Sequence, residues 1–283
     1  MASYEERRAQ NARAHMERGL RARKECCFRA KMAEQSERFD DMILIVKNII
    51  KITLQRKKGE EGAELSMEER NLLSVAYKNI VGKRRSAWRT LTTVRSKYEK
   101  HEKSPAAVLL SNYIRKIEGE ILAYSVELQE QVDLLIPLVS SIEGRVFFRK
   151  MCADYERYLC EIFVGEELKR SAEKALMHYK LAAMDAEKNL HPTNPIRLGV
   201  ALNFAVFYFE TLGSSDRACH LARTAFDDAL AELDTLPEKH YKDSTILLQL
   251  IRDNLQKWAE KDDFGPVVRG TLGGPKRDDA VQS

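Results

Sequence analysis

Apolar residues recur at spacings of three and four along most of this chain, and alternating strand patterns are absent. The clearest case is Arg70–Trp88, where Leu72, Leu73, Ala76, Ile80 and Val81 predict an amphipathic helix. On it Lys78 and Arg85 are seven residues apart, close to two turns, so both cations project from one face roughly 10 Å apart. A second helix carries Phe147, Met151, Asp154, Tyr158 and Glu161 at helical spacing, with Lys150, Asp154, Arg157 and Glu161 alternating charge on one face. Such acids either hold Arg157 extended or form a plain intrahelical ladder. Asn203, Val206 and Glu210 share a stripe, as do Leu247, Leu250, Asn254 and Trp258 on a final helix. The β-branched run Ile43–Ile52 reads as strand by propensity, but its setting among long helices favours helix.

Breakers place the boundaries. His101–Pro105 precedes a long helix to about residue 136; Pro137 and Gly144 bracket the next junction. Pro192 and Pro195 close a helix over Ala172–Leu190, and Gly213–Asp216 forms a turn and cap before a helix over Ala218–Leu233. Glu68 and Glu69 open the third helix, where acids complement the dipole. The expectation is an all-α chain divided into a basic extension (1–21), a helical domain (22–260) and a disordered tail (261–283).

Composition refines this picture. Of 283 residues, 44% are hydrophobic and 32% charged, enough for a packed core under a charged surface. The formal charge of +4 is unevenly spread: residues 1–31 hold nine Lys/Arg against four Glu, and the remainder carries 38 bases and 39 acids. Nucleic-acid binding by the body gains no support from charge. The arm itself has no sustained apolar stripe and reads as a solvated, partly helical extension. Five cysteines without CxxC spacing fit free thiols in a reducing compartment, and no apolar run reaches the length of a membrane span. The reading is cytoplasmic, with nuclear access left open.

Arg70–Trp88 (RNLLSVAYKNIVGKRRSAW) resembles the signature helix of the 14-3-3 proteins, dimeric readers of phosphoserine and phosphothreonine, and Tyr241–Trp258 (YKDSTILLQLIRDNLQKW) resembles that family's second signature. The similarity runs from about Lys31 to Trp258. It implies nine antiparallel helices in a concave-grooved bundle, dimeric through the N-terminal helices. It also implies a phosphate clamp of Lys78, Arg85, Arg157 and Tyr158, peptide-backbone contacts from Asn203 and Asn254, and a groove bearing Lys150, Asp154, Leu202, Val206, Glu210, Leu247, Leu250 and Trp258. Without the resemblance, Leu202, Val206, Leu247, Leu250 and Trp258 read as core. The dimer face would comprise Met32, Ser36, Arg38 and Asp41 of one subunit, with Tyr113, Lys116 and Glu120 of the other; Arg38 would face Glu120 and Asp41 would face Lys116. Phosphorylated client proteins and a second copy or paralogue are the implied partners, with no cofactor and no metal.

Three departures stand out. Residues 42–65 run about nine longer than the family segment, extending either the second helix or its loop. Glu156 replaces a tyrosine common before the arginine of the second fragment, and helical rotation of about 100° per residue turns it away from the phosphate. Ala87 stands where many relatives have a serine whose phosphorylation disturbs the dimer, so that switch is expected to be absent. No Walker loop, GxSxG or HExxH is present, which argues against an enzyme. The alternative is a phosphate-independent helical scaffold, but a repeat of about 34 residues is not visible.

Overall fold

The computed structural model describes residues 4–98, 104–235 and 238–262. Among these residues there are nine α-helices and no strand. They fall into two compact units, Met1–Phe148 and Arg149–Ser283.

In the first unit, α1 (Tyr4–Gln35) packs on α2 (Phe39–Leu54) and α3 (Met67–Ser96), and α3 packs on α4 (Pro105–Leu135), which ends in a 3-10 turn at Ile136–Leu138. Met42, Val46, Ile49, Leu73, Ala76, Tyr77, Val81, Ile121, Leu128 and Val132 are buried where these helices meet. Ile43–Ile52 is helical, as its setting required. The start of α3 is a full capping box: Ser66 accepts from the Glu69 backbone N–H at 3.2 Å, and Glu69 accepts from the Ser66 N–H at 2.8 Å. Pro105 occupies the first turn of α4, where a missing N–H costs nothing, and Ser104 caps it.

The basic arm departs from expectation. It is not a loosely helical extension: α1 runs unbroken through the boundary drawn at 21/22. Met16, Gly19 and Leu20 are half-buried and Arg23, Cys27 and Ala30 are buried, a stripe at three- and four-residue spacing that the eye misses because a glycine, an arginine and a cysteine belong to it. Its partner is the segment after α2, which ends at Leu54 and is followed by a loop to Leu65. Arg56 donates to the Met16 carbonyl at 2.9 Å and lies so close to Gly19 that a Cβ there would collide with it. Arg23 donates to the carbonyls of Gly62 (2.5 Å) and Glu64 (2.9 Å) and forms a two-point ion pair with Glu69. Gly62 has φ +76°, a backbone conformation that favours glycine, and a Cβ there would meet the tip of the Leu20 side chain at 2.8 Å.

In the second unit, the later turns of α5 (Ile142–Leu159) are followed by α6 (Gly165–Asn189), α7 (Pro195–Glu210), α8 (Ser215–Ala231) and α9 (Glu238–Asp262), with a 3-10 turn at Leu233–Thr235. Helix α7 packs on α6, α8 and α9, so it is apolar on nearly every side. One cluster joins Leu198, Leu202, Ala218, Ala222, Ile251 and Trp258; another joins Ala153, Ala175, Tyr179, Phe204 and Phe207. Helix α6 begins seven residues before the predicted start, because Gly165 takes φ +58° and turns the chain into it. Asn194 caps α7 through the Ile196 N–H at 2.8 Å, and Ser244 ties α9 to the turn between α6 and α7 through the Thr193 carbonyl at 2.7 Å. Of the break expected at His101–Pro105, residues 101–103, and of the tail expected at 261–283, residues 263–283, lie outside the described residues. No helix among the described residues is long and apolar enough to cross a membrane.

Candidate functional site

In the first unit, helix α3 carries Lys78 and Arg85. Lys78 is exposed and Arg85 half-buried on its surface. Their cationic neighbours are committed elsewhere: Lys83 reaches Glu37 at 3.3 Å and lies 4.6 Å from the Phe39 ring, while Arg84 donates to Glu120 at 2.7 Å and lies 4.8 Å from the Tyr124 ring. The run Lys83-Arg84-Arg85 is thus split among different faces, as helical geometry requires.

The residues expected at a dimer face also lie in this unit. Met32 and Tyr113 are exposed at 42% and 52%, and Ser36, Lys116, Arg38 and Asp41 are accessible or half-accessible. Within the single chain Arg38 pairs with Asp41 at 2.5 Å, and Glu120 pairs with Arg84. Either acid would have to exchange partners to meet a second subunit.

The second unit holds the better-defined chemistry. Helix α5 presents Lys150, Asp154, Arg157 and Tyr158, α6 presents Tyr179, and α7 presents Asn203. Asp154 is buried among donors: it accepts from Lys150 Nζ (2.7 Å), Tyr179 Oη (2.5 Å) and Asn203 Nδ2 (2.8 Å), with Arg157 at 3.6 Å. Burial alone would push its carboxyl up, but the charges of Lys150 and Arg157 and the bonds from Lys150 and Tyr179 outweigh it and hold it below the ordinary aspartate value. Arg157 is equally buried. Desolvation works against its charge, and Tyr179 and Asp154 more than offset it, so the net shift is upward. Its Nε donates to Tyr179 Oη at 3.1 Å, and the guanidinium lies 4.8 Å from the Tyr158 ring. The ladder of alternating charges is therefore not a solvated decoration; its acid supports a buried arginine.

Glu156 turns away as the helical rotation required, but into the interior. It is 2% exposed, its Oε1 lies 3.6 Å from Lys174 Nζ, and its Oε2 is buried without a hydrogen-bond partner. One turn on, burial and then Glu156 push the Cys160 thiol up to about 12.

Along α7, Asn203 and Val206 are half-buried and Glu210 exposed; on α9, Leu247 and Asn254 are half-buried and Leu250 is 44% exposed. Leu202 and Trp258 belong to the core between these helices instead, Trp258 stacking on Phe209 at 4.9 Å. The residue that sequence reasoning missed is Tyr179, whose hydroxyl on α6 meets Asp154 and Arg157 of α5, while Asn203 of α7 reaches the same Asp154 oxygen. No motif marks it; one tyrosine among ten on an amphipathic helix carries no signal of its own.

Comparison with known proteins adds the following. The family model of the 14-3-3 protein matches residues 29–259. A 14-3-3 protein homolog of Trichoderma harzianum is 46% identical over 85% of this chain and 88% of its own length. Protein BMH1 of Saccharomyces cerevisiae is 47% identical over 84% of this chain and 86% of its own. The 14-3-3-like protein GF14 psi of Arabidopsis thaliana is 46% identical over 88% and 96%.

Proposed function

Because the chain belongs to the 14-3-3 protein family, we propose that it is a phosphoserine/phosphothreonine-dependent adaptor which clamps phosphorylated motifs of client proteins and acts by masking or bridging them. The role is stoichiometric and not enzymatic. The observation that carries this reading is the state of Arg157: a buried guanidinium, kept charged by Asp154 and bonded through Nε to Tyr179. A desolvated cation kept in one geometry is suited to a small dianion, and a phosphoserine supplies about −1.5 to −2 charge and three acceptor oxygens. The family resemblance assigns phosphate contact to Lys78, Arg85 and Tyr158 as well. Each charge-assisted bond contributes about 1.5–3 kcal/mol, so a few of them separate a phosphopeptide from its unmodified twin.

Asn203 and Asn254 serve the peptide backbone, and Val206, Leu247 and Leu250 offer apolar contact beside them. Lys150 and Glu210 belong to the same wall. Dimerisation through Met32, Ser36, Arg38, Asp41, Tyr113, Lys116 and Glu120 would give two clamps, allowing bivalent capture whose avidity depends on the spacing of the client's sites. The exposed apolar side chains of Met32 and Tyr113 support that face, while exposed ion pairs there contribute only about 0–1 kcal/mol each.

The test is fluorescence-anisotropy titration of an Arg-Ser-x-pSer-x-Pro peptide and its unphosphorylated twin, using wild type and Arg85→Ala/Arg157→Ala. Phosphate-dependent binding lost in the double variant supports the clamp. Equal binding of both peptides would refute it and leave a phosphate-independent scaffold.

A further inference from the structure

Tyr179 is fully buried, on a helix that contributes no other residue to the proposed clamp. Its hydroxyl lies between two groups of opposite hydrogen-bonding sense: Asp154 Oδ1 at 2.5 Å and Arg157 Nε at 3.1 Å. An ionised carboxylate only accepts and a guanidinium only donates, so the phenolic proton has one destination. It goes to Asp154, and an oxygen lone pair receives the Arg157 Nε–H. The ring cannot swing to relax this arrangement. It stacks on Phe204 with centroids 5.2 Å apart and planes 12° apart, and it touches Phe207 at 5.4 Å. Tyr158 lies along the guanidinium at 4.8 Å, so Arg157 is held at Nε and along its face.

The same carboxylate settles a second orientation. Asn203 points an amide at Asp154 Oδ1 from 2.8 Å. Only the NH2 can face an acceptor, which turns the Asn203 carbonyl oxygen away from Asp154. Asp154 Oδ2 accepts from Lys150 at 2.7 Å, so both carboxylate oxygens are engaged.

We propose that Tyr179 is a positioning residue of the clamp: its hydroxyl fixes the Arg157 guanidinium and anchors Asp154, the carboxylate that sets the polarity of the Asn203 amide. It touches no ligand itself. The phosphate grip on α5 and the backbone grip on α7 are thereby coupled through one phenol on α6, and Asn203 meets a peptide as an acceptor for a backbone N–H. This inference rests on the phosphopeptide reading above.

Tyr179→Phe removes a single oxygen and keeps the ring stack. The expected result is a folded protein whose affinity for the phosphopeptide falls about ten-fold, while that for the unphosphorylated twin changes less than about two-fold. Arg157→Lys and Asn203→Ala should be non-additive in the wild type and additive in the Tyr179→Phe background, because the shared anchor is gone. Leu198→Val, a core change in the same unit, should lower the melting temperature and leave the ratio of the two affinities as it was. A general packing role would move Tyr179→Phe in the same way. A Tyr179→Phe protein with an unchanged affinity ratio overturns the proposal. An independent readout uses the unmutated chain: the Arg157 Nε–H resonance should be resolved and slow to exchange with solvent. An Nε–H that exchanges like those of exposed arginines overturns the positioning outright. If the wild type binds both peptides equally, the phosphopeptide reading fails, and the Nε–H signal still decides whether Tyr179 holds Arg157.

Discussion

Truncating Arg23 tests whether the basic arm is part of the folded unit. Arg23 is 6% exposed and makes two contacts to Glu69 and one each to the Gly62 and Glu64 carbonyls. Arg23→Ala strands the Glu69 carboxylate, itself 5% exposed, with only the Ser66 N–H as a strong partner, and leaves two carbonyls short of a donor. Removing one partner of a buried ion pair costs about 3–5 kcal/mol. At about 2–4 °C per kcal/mol for a unit of this size, the melting temperature should fall by roughly 10 °C. Differential scanning calorimetry and urea titration would measure it. Glu69→Gln gives the second arm of the cycle, since glutamine preserves the capping contact to Ser66 while removing the charge. The double variant Arg23→Ala/Glu69→Gln should be more stable than the sum of the single losses by about 1–3 kcal/mol. A loss below about 1 kcal/mol for Arg23→Ala, or strict additivity in the double variant, would refute the reasoning.

Three further outcomes follow from the same geometry. Asp154 and Glu69 both titrate below their ordinary values in the folded chain, so the unfolded chain binds more protons in that interval. Their stabilisation is complete above the ordinary carboxylate range and is lost as pH falls from about 4 toward the depressed values. Urea midpoints between about pH 3 and pH 6 should decline on acidification, more shallowly in Asp154→Asn. Cys160 and Cys27, with thiols pushed up to about 12 and about 11, should resist iodoacetamide at neutral pH in the native chain and react once urea unfolds it. Faster native labelling at these two sites, read by mass spectrometry, would contradict their burial. Glu156→Met removes a buried carboxylate whose Oε2 has no partner and should raise stability by about 1–2 kcal/mol. A lower urea midpoint would show that the Lys174 contact outweighs that desolvation.

Periodicity was enough for the helices because apolar side chains at three- and four-residue spacing need one buried face, and Leu72 through Val81 leave little choice. It failed on α1, where the buried stripe passes through Gly19, Arg23 and Cys27. Burial there depends on partners some 40 residues away, and hydrophobicity along the chain does not register an arginine whose charge is met by Glu69. The capping box at Ser66 and Glu69 was open to inspection, but both the box and the Arg23 pair use the same carboxylate. In the clamp, Asp154 and Arg157 were legible as neighbours on one face, whereas Tyr179 lies on another helix and enters through a contact 22 residues from Arg157. The groove residues split for a similar reason: a leucine stripe shows which face is apolar but not whether a neighbouring helix covers it. Leu202 and Trp258 are covered, and Leu250 is not.

The lock between α1 and the loop after α2 also bears on how such a chain can vary. The Arg56 guanidinium ends on a carbonyl that only the arm provides, and Arg23 ends on carbonyls that only the loop provides. Each segment alone would carry donors or acceptors with nothing to receive them. A graft of the arm onto a relative with a short loop, or a trimmed loop beneath an intact arm, would inherit half of a fitting. The two stretches meet through bonds that span 39 to 41 residues of sequence, so each is the other's complement and a graft has to move both.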